Sequence, residues 1–370
     1  MRKEATESKW IQMAGKPNKD FLAKPKGTRK RIGNMTIDNV KDKPDLPRTD
    51  DINVILQNFV KYYEKLYKHK EICPHALDRL IKNLTLDLEE EEKETLEAPI
   101  KASEMLRVLV DSPKGKSPGT DRLPYECYKL SPDLAAKALT SLGNRMSSTG
   151  KQPDSWAQIV ISVLPKEADS YSTHKFRPIS LLNTDYKLVM RVWANRLGPI
   201  LANKIGHHQR GFIPGRDGRE NIINVQMIID LLNAKAEEGA VAFLDQEKAF
   251  DMVSFTTINT IFEKLNWPKR FRTLISTVYW VNHIRAKVRA NGTTSNTDFA
   301  VNSGTRQGCP LSPLIYAIVA DLYNMAIISH KYFKGHETLP GHFVKISAYA
   351  DDTAVHLGSL TDVKIYKLLL

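Results

Sequence analysis

The chain has 370 residues and a formal net charge of +12, long enough for two or three domains with sizeable cores. Its pI near 9.4 points to a polyanionic partner, although ordinary basic proteins share that balance. Three widely spaced cysteines (Cys73, Cys127, Cys309) argue against a disulfide framework or zinc site, and imply reducing, intracellular surroundings in nucleus or cytoplasm.

Residues 1–50 read as a basic, poorly ordered segment. Between residues 1 and 31, ten Lys/Arg stand against three Asp/Glu, and Gly15, Pro17, Pro25 and Gly27 interrupt any helix. A tail that touches nucleic acid, a nuclear localisation signal over residues 24–31 and a solvated linker all fit it. The first residues lack the apolar core of a signal peptide. From Asp51 the pattern turns helical, with Ile52, Ile55, Leu56, Phe59, Tyr62, Tyr63 and Leu66 on one face, an aromatic stripe that reads as core. Residues 51–150 continue as a helical extension. They include a solvated acidic start at residues 89–92, a helix over 102–110, a Ser-Pro-Gly-x-Asp turn at 117–121, and a helix from Pro132 with Ser131 as its N-cap.

Two apolar strands follow, at residues 158–165 and 176–183. A hairpin would set Lys166 and Arg177 at one edge; taken alone, these are ordinary surface cations. Residues 186–202 are amphipathic and helical. The adjacent His207 and His208, without a third ligand nearby, read as surface residues rather than metal ligands. Residues 221–238 predict a helix with Ile222, Val225, Ile229 and Leu232 on its apolar side, closed by Gly239. Helices over 255–265 and 272–279 come next, then a strand at 286–290 turning at Asn291-Gly292 toward 299–301. The apolar run at 311–328 contains Pro313, Asp321 and Asn324, and reads as a buried helix rather than a membrane span.

Three stretches carry chemistry. Residues 240–244 predict a buried strand ending on Asp245, and a carboxylate there is costly to leave unpaired. Residues 304–313 (GTRQGCPLSP) form a Gly/Pro-rich loop opening onto a helix, suited to close backbone approach to a ligand. Near the C-terminal end, Asp351 and Asp352 occupy a tight connection between two strands, flanked by Ser347, Ala348 and Ala350. Such a turn is ordinarily only solvated: Asp50-Asp51 is a second acidic pair that merely opens a helix. If Asp245 comes near Asp351 and Asp352, their mutual repulsion calls for cations, and paired Mg²⁺ ions suit oxygen ligands.

FLDQEKAFD (243–251), GTRQGCPLSP (304–313) and YADD (349–352) resemble, in order, the motifs of reverse transcriptases, with non-LTR (long interspersed element) enzymes nearest and group II intron enzymes next. The Gln-x-Gly-Phe-x-x-Gly-Arg pattern at 209–216 is similar to the same branch. The resemblance implies an α+β, right-hand polymerase-like chain. Its parts would be helical residues 51–150, fingers at 151–238, and a palm at 239–370 with an antiparallel sheet. It implies template-directed transfer of a nucleotidyl group from a dNTP to a DNA primer on an RNA template. Catalytic Asp245, Asp351 and Asp352, with the Gln246 carbonyl, would hold two Mg²⁺ ions (Mn²⁺ an alternative). Lys166 and Arg177 would face the triphosphate, Phe250 the sugar and Gln307 the nucleotide or template, while Tyr349 would lie against the primer end. Only 13 residues follow Leu357, so the expectation is that the thumb is missing and residues 1–370 alone polymerise feebly. A truncated, inactive remnant that binds nucleic acid is the competing expectation.

Overall fold

The helix expected after Asp51 is α1 (Ile52–Leu66); the Asp51 carboxylate starts it by accepting the Asn53 N–H at 2.8 Å. The computed structural model describes residues 35–36 and 48–369, save 168–170, 236 and 238. Most of the basic segment read over residues 1–50 therefore lies outside the described residues; Met35–Thr36 pairs with Arg48–Thr49. The aromatic stripe of α1 is core: Phe59, Tyr62 and Tyr63 are buried, and Phe59 meets Phe176 edge-on at 5.0 Å.

The helical region continues through α2 (Ala102–Val110), α3 (Pro132–Thr149) and α4 (Thr184–Lys204). A buried cation locks it together. Arg196 of α4 donates to Glu104 of α2 and to the carbonyls of Thr95, Ala98 and Pro99, at 2.6 to 3.1 Å. A charge so deep persists only with such complete pairing.

Two sheets carry the residues singled out above. In the first, β1 (Gln158–Pro165) pairs antiparallel with β2 (Phe176–Leu181), as expected. On its other side β1 pairs parallel with β4 (Arg285–Ala290). The short strands Thr293–Thr294 and Phe299–Ala300 both pair with β4. Asn291 (φ 50°) and Gly292 (φ 84°) make the predicted tight hairpin. In the second sheet, β6 (Asp352–Leu357) lies between β5 (Ile346–Tyr349) and β3 (Ala240–Leu244), antiparallel to both. The fold is α+β.

One hydrophobic core runs from α1 to Ala350 and includes Trp156, Trp193, Trp267 and Phe271. A smaller cluster of Ile327, Phe333, Ile346, Val355 and Tyr366 lies under the second sheet. The apolar run at 311–328 forms α6 (Ser312–Ile328), with Asp321 and Asn324 buried. Among the described residues, no helix is long and apolar enough to cross a membrane.

Three expectations need correction. The strand read as buried, β3, is at an edge of its sheet and half-open, with Phe243 74% exposed. The face expected to be apolar core on α5 (Arg219–Lys235) is likewise open: Ile222 and Ile229 are exposed, whereas Ile228 is buried. Periodicity marks a stripe without saying what covers it. His208 is not a surface residue; its ring is nearly buried and bonds Asp321 at 2.6 Å. A long-range carboxylate partner across 113 residues left no local signal.

Candidate active site

The register of the second sheet sets the geometry of the acids. Thr353 stands opposite Leu244. Continuing that antiparallel pairing by one residue places Asp245 across from Asp352, and paired residues project from the same face of a sheet. Tyr349 pairs with Asp352, so Ala350 and Asp351 form a two-residue connection. Burial pushes the Asp351 carboxyl above its ordinary range, and the neighbouring Asp352 and Asp245 charges push it the same way. Among the described residues, no three His, Cys, Asp or Glu side chains converge closely enough to chelate a metal by themselves. That spacing fits carboxylates that repel one another. It also suits Mg²⁺, which takes one or two carboxylates and completes its shell with phosphate and water rather than a protein cage. The Gln246 carbonyl accepts from Ala249 N–H at 3.2 Å and retains a second lone pair.

These acids open onto a cleft of about 630 Å³. Its walls include Lys166 and Arg177 from the β1–β2 hairpin, Phe250 from the segment after β3, and Gln307 from the Gly/Pro-rich loop. Eight of the nine singled-out residues are therefore brought together. Tyr349 is not in this cleft; it lines a neighbouring apolar groove with Ile222, Val225 and Phe243, which Asp245 and Asp352 also reach. A larger groove of about 820 Å³ lies elsewhere, on the first sheet, and holds none of the acids.

Residues 164–367 match the family described as Reverse transcriptase (RNA-dependent DNA polymerase). The chain belongs to the reverse transcriptase family. It is similar to the Transposon TX1 uncharacterized 149 kDa protein of Xenopus laevis, 30% identical over 346 residues, covering 93% of this chain and 25% of that protein. It is also similar to the RNA-directed DNA polymerase from mobile element jockey of Drosophila melanogaster, 27% identical over 282 residues, covering 71% of this chain and 29% of that protein. A third relative is the Pol polyprotein from the type-1 retrotransposable element R2 of Nasonia vitripennis, 29% identical over 185 residues, covering 50% of this chain and 18% of that protein. These relatives place the chain with the non-LTR retrotransposon branch, and it spans roughly a quarter of the length of the first two.

In this member of the family the local packing explains several motif residues. Phe250 stacks on Tyr316 with ring centroids 3.9 Å apart and meets Phe212 edge-on at 5.8 Å, so its ring is fixed as a wall of the cleft. The Tyr316 hydroxyl donates to the Gln246 side chain at 3.4 Å; burial and the Asp351 and Asp352 charges hold it protonated. Gly308 lies against β2, where a Cβ would come 2.7 Å from the Ser180 carbonyl, and Ser180 N–H donates to Gln307 O. The loop is thus pinned to the strand that carries Arg177.

Residue-by-residue reading of the sequence missed Asp251 and Lys248. Asp251 is 3% exposed, accepts from the Tyr67 hydroxyl at 2.8 Å, and lies 3.4 Å from the Gln307 amide nitrogen. Burial raises its carboxyl to about 6 against the opposing bond from Tyr67 and the charge of Lys248. Lys248, at positive φ, donates to the carbonyls of His174 and Phe176 and so ties the segment after β3 to the start of β2. The signal that marks Asp251 is a carboxylate directly after the apolar pair Ala249-Phe250; its partner Tyr67 lies 184 residues away.

Proposed function

We propose that this domain is an RNA-directed DNA polymerase that adds deoxynucleotides to a primer 3′-hydroxyl on an RNA template. The single observation that carries the reading is the shared cleft: Asp245, Asp351 and Asp352, the cations Lys166 and Arg177 of the β1–β2 hairpin, and the Phe250 ring all line it. In this reading the second sheet is the palm and the β1–β2 hairpin belongs to the fingers, with β4, from the range 239–370 read as palm, joining that hairpin in one sheet. Two magnesium ions held by Asp245, Asp351, Asp352 and the Gln246 carbonyl would neutralise charge on the phosphates and polarise the reacting phosphoryl group. Lys166 and Arg177 bind the triphosphate, Arg177 with a planar fork able to bond two oxygens at once. Phe250 occludes the space a ribose 2′-hydroxyl would need. Gln307 lies against the nucleotide or its template base, and Tyr349 against the primer end. Catalysis then rests on positioning and charge neutralisation, as in phosphoryl transfer generally.

The test is addition of one dNMP to a primer annealed to RNA, in a single turnover with enzyme in excess at low salt. The wild type should extend the primer. Asp245→Asn and Asp351→Asn should each slow addition by at least about a hundredfold, since lost metal contacts remove several kcal/mol of charge stabilisation. Undiminished extension by either variant would refute the assignment.

A further inference from the structure

Ala350 is the first residue of the acidic turn and sits at φ +58°, a region L side chains avoid and where two-residue hairpins ordinarily use Gly, Asn or Asp. A non-glycine residue stays there only when its surroundings over-determine it. Gln209, fully buried, supplies that constraint. Its Oε1 accepts from Ala350 N–H at 2.8 Å and its Nε2 lies 3.3 Å from the Ala350 carbonyl, so one side chain grips both ends of the residue. The same Oε1 accepts from Gly211 N–H at 2.8 Å.

The segment around Gln209 is built to hold that grip. His208 O accepts from Ala348 N–H at 2.7 Å and Arg210 N–H donates to Ala348 O at 2.8 Å, so it runs beside β5 as an extra, parallel strand. Gly211 permits the approach: a Cβ there would come 2.2 Å from Ala350 N. From behind, the His208–Asp321 bond anchors the segment to α6, and Arg216 donates to the carbonyls of Gly206 and Gln209. The segment therefore fixes the turn that aims Asp351.

We infer that Gln209 is a positioning residue for the divalent cation: by clamping Ala350 in its left-handed conformation it presets the Asp351 carboxylate for metal binding. The inference rests on the metal role of Asp351 proposed above. Gln209 touches no substrate; it acts through the turn. Residues behind a ligand typically tune metal affinity by about 10–100-fold.

The experiment is Mn²⁺ binding to the full chain, read by electron paramagnetic resonance of free Mn²⁺, with folding checked by circular dichroism. Asp351→Asn is the control for the underlying reading. Gln209→Ala and the volume-conserving Gln209→Met should each weaken Asp351-dependent Mn²⁺ binding by about tenfold or more. Adding Ala350→Gly, which takes positive φ without strain, should restore most of that affinity. Such a rescue separates positioning from general loss of structure. Gly211→Ala, which pushes the segment off the turn, should mimic the Gln209 variants. Wild-type affinity in a folded Gln209 variant would overturn the clamp while leaving the metal site standing. Failure of Ala350→Gly to restore any affinity would also overturn it. Mn²⁺ binding unaffected by Asp351→Asn would overturn the metal reading and the clamp with it.

Discussion

At the scale of single residues, the proposed reading gives Phe250 the selection of the sugar, and burial gives Asp251 a proton-linked role in stability. Phe250 is held between Tyr316 and Phe212, so Phe250→Ala removes a fixed wall rather than a mobile ring. It should raise use of rNTPs relative to dNTPs by at least about tenfold, on the order of 1.4 kcal/mol, with Mn²⁺ affinity unchanged. Competition between labelled dNTP and rNTP in one-nucleotide addition checks this; an unaltered ratio would remove the steric argument. Asp251 bears on stability. Its carboxyl is raised to about 6 in the fold, so the native state holds its proton more tightly than the unfolded chain does. That contribution is fully present below the ordinary carboxylate range and is lost as pH rises through about 6. Asp251→Asn, neutral throughout, should therefore gain stability relative to wild type between pH 4.5 and 7, by about 2 kcal/mol. Urea unfolding at the two pH values measures it, and a pH-independent difference would count against the shifted carboxyl.

At the scale of elements, what the sequence discloses is local chemistry. The β1–β2 hairpin, the Asn291-Gly292 turn and the strand–turn–strand around Asp351 were legible because each is specified by contiguous residues with a defined period or turn preference. The eight singled-out residues that line the cleft were legible as a group only through motif order, since no spacing rule brings Lys166 to Asp351. Contacts made across the chain stayed hidden: Gln209 with Ala350 is 141 residues apart, Tyr67 with Asp251 is 184. The open faces of α5 and β3 were misread for the same reason, because burial depends on a partner element that periodicity does not name. Arg196 is a further case, an amphipathic-helix residue by pattern and a buried junction between α2 and α4 in the fold. Arg196→Ala should cost about 3 kcal/mol, because it strips Glu104 of its cation and three carbonyls of their donor. Denaturant titration reads this directly. A loss below about 1 kcal/mol would mean the junction is carried by apolar packing alone.

At the scale of the whole molecule, the two sheets are joined through the segments that carry the motifs. Lys248 links the strand bearing Asp245 to the hairpin bearing Arg177, and the Gly/Pro-rich loop links Gln307 to the same hairpin. The arrangement predicts a division of labour, with the acids acting on the chemical step and the cations on nucleotide binding. The most direct measurement is the rate of single-nucleotide addition against dNTP concentration, for wild type, Asp351→Asn and Arg177→Ala on one primer–RNA template. Asp351→Asn should lose at least about a hundredfold in maximal rate with half-saturating dNTP changed less than about threefold. Arg177→Ala should raise half-saturating dNTP by about tenfold, the loss of one charge-assisted phosphate contact, with a much smaller change in maximal rate. The reverse partition, or a wild-type rate retained by Asp351→Asn, would contradict the assignment of chemistry to this cleft.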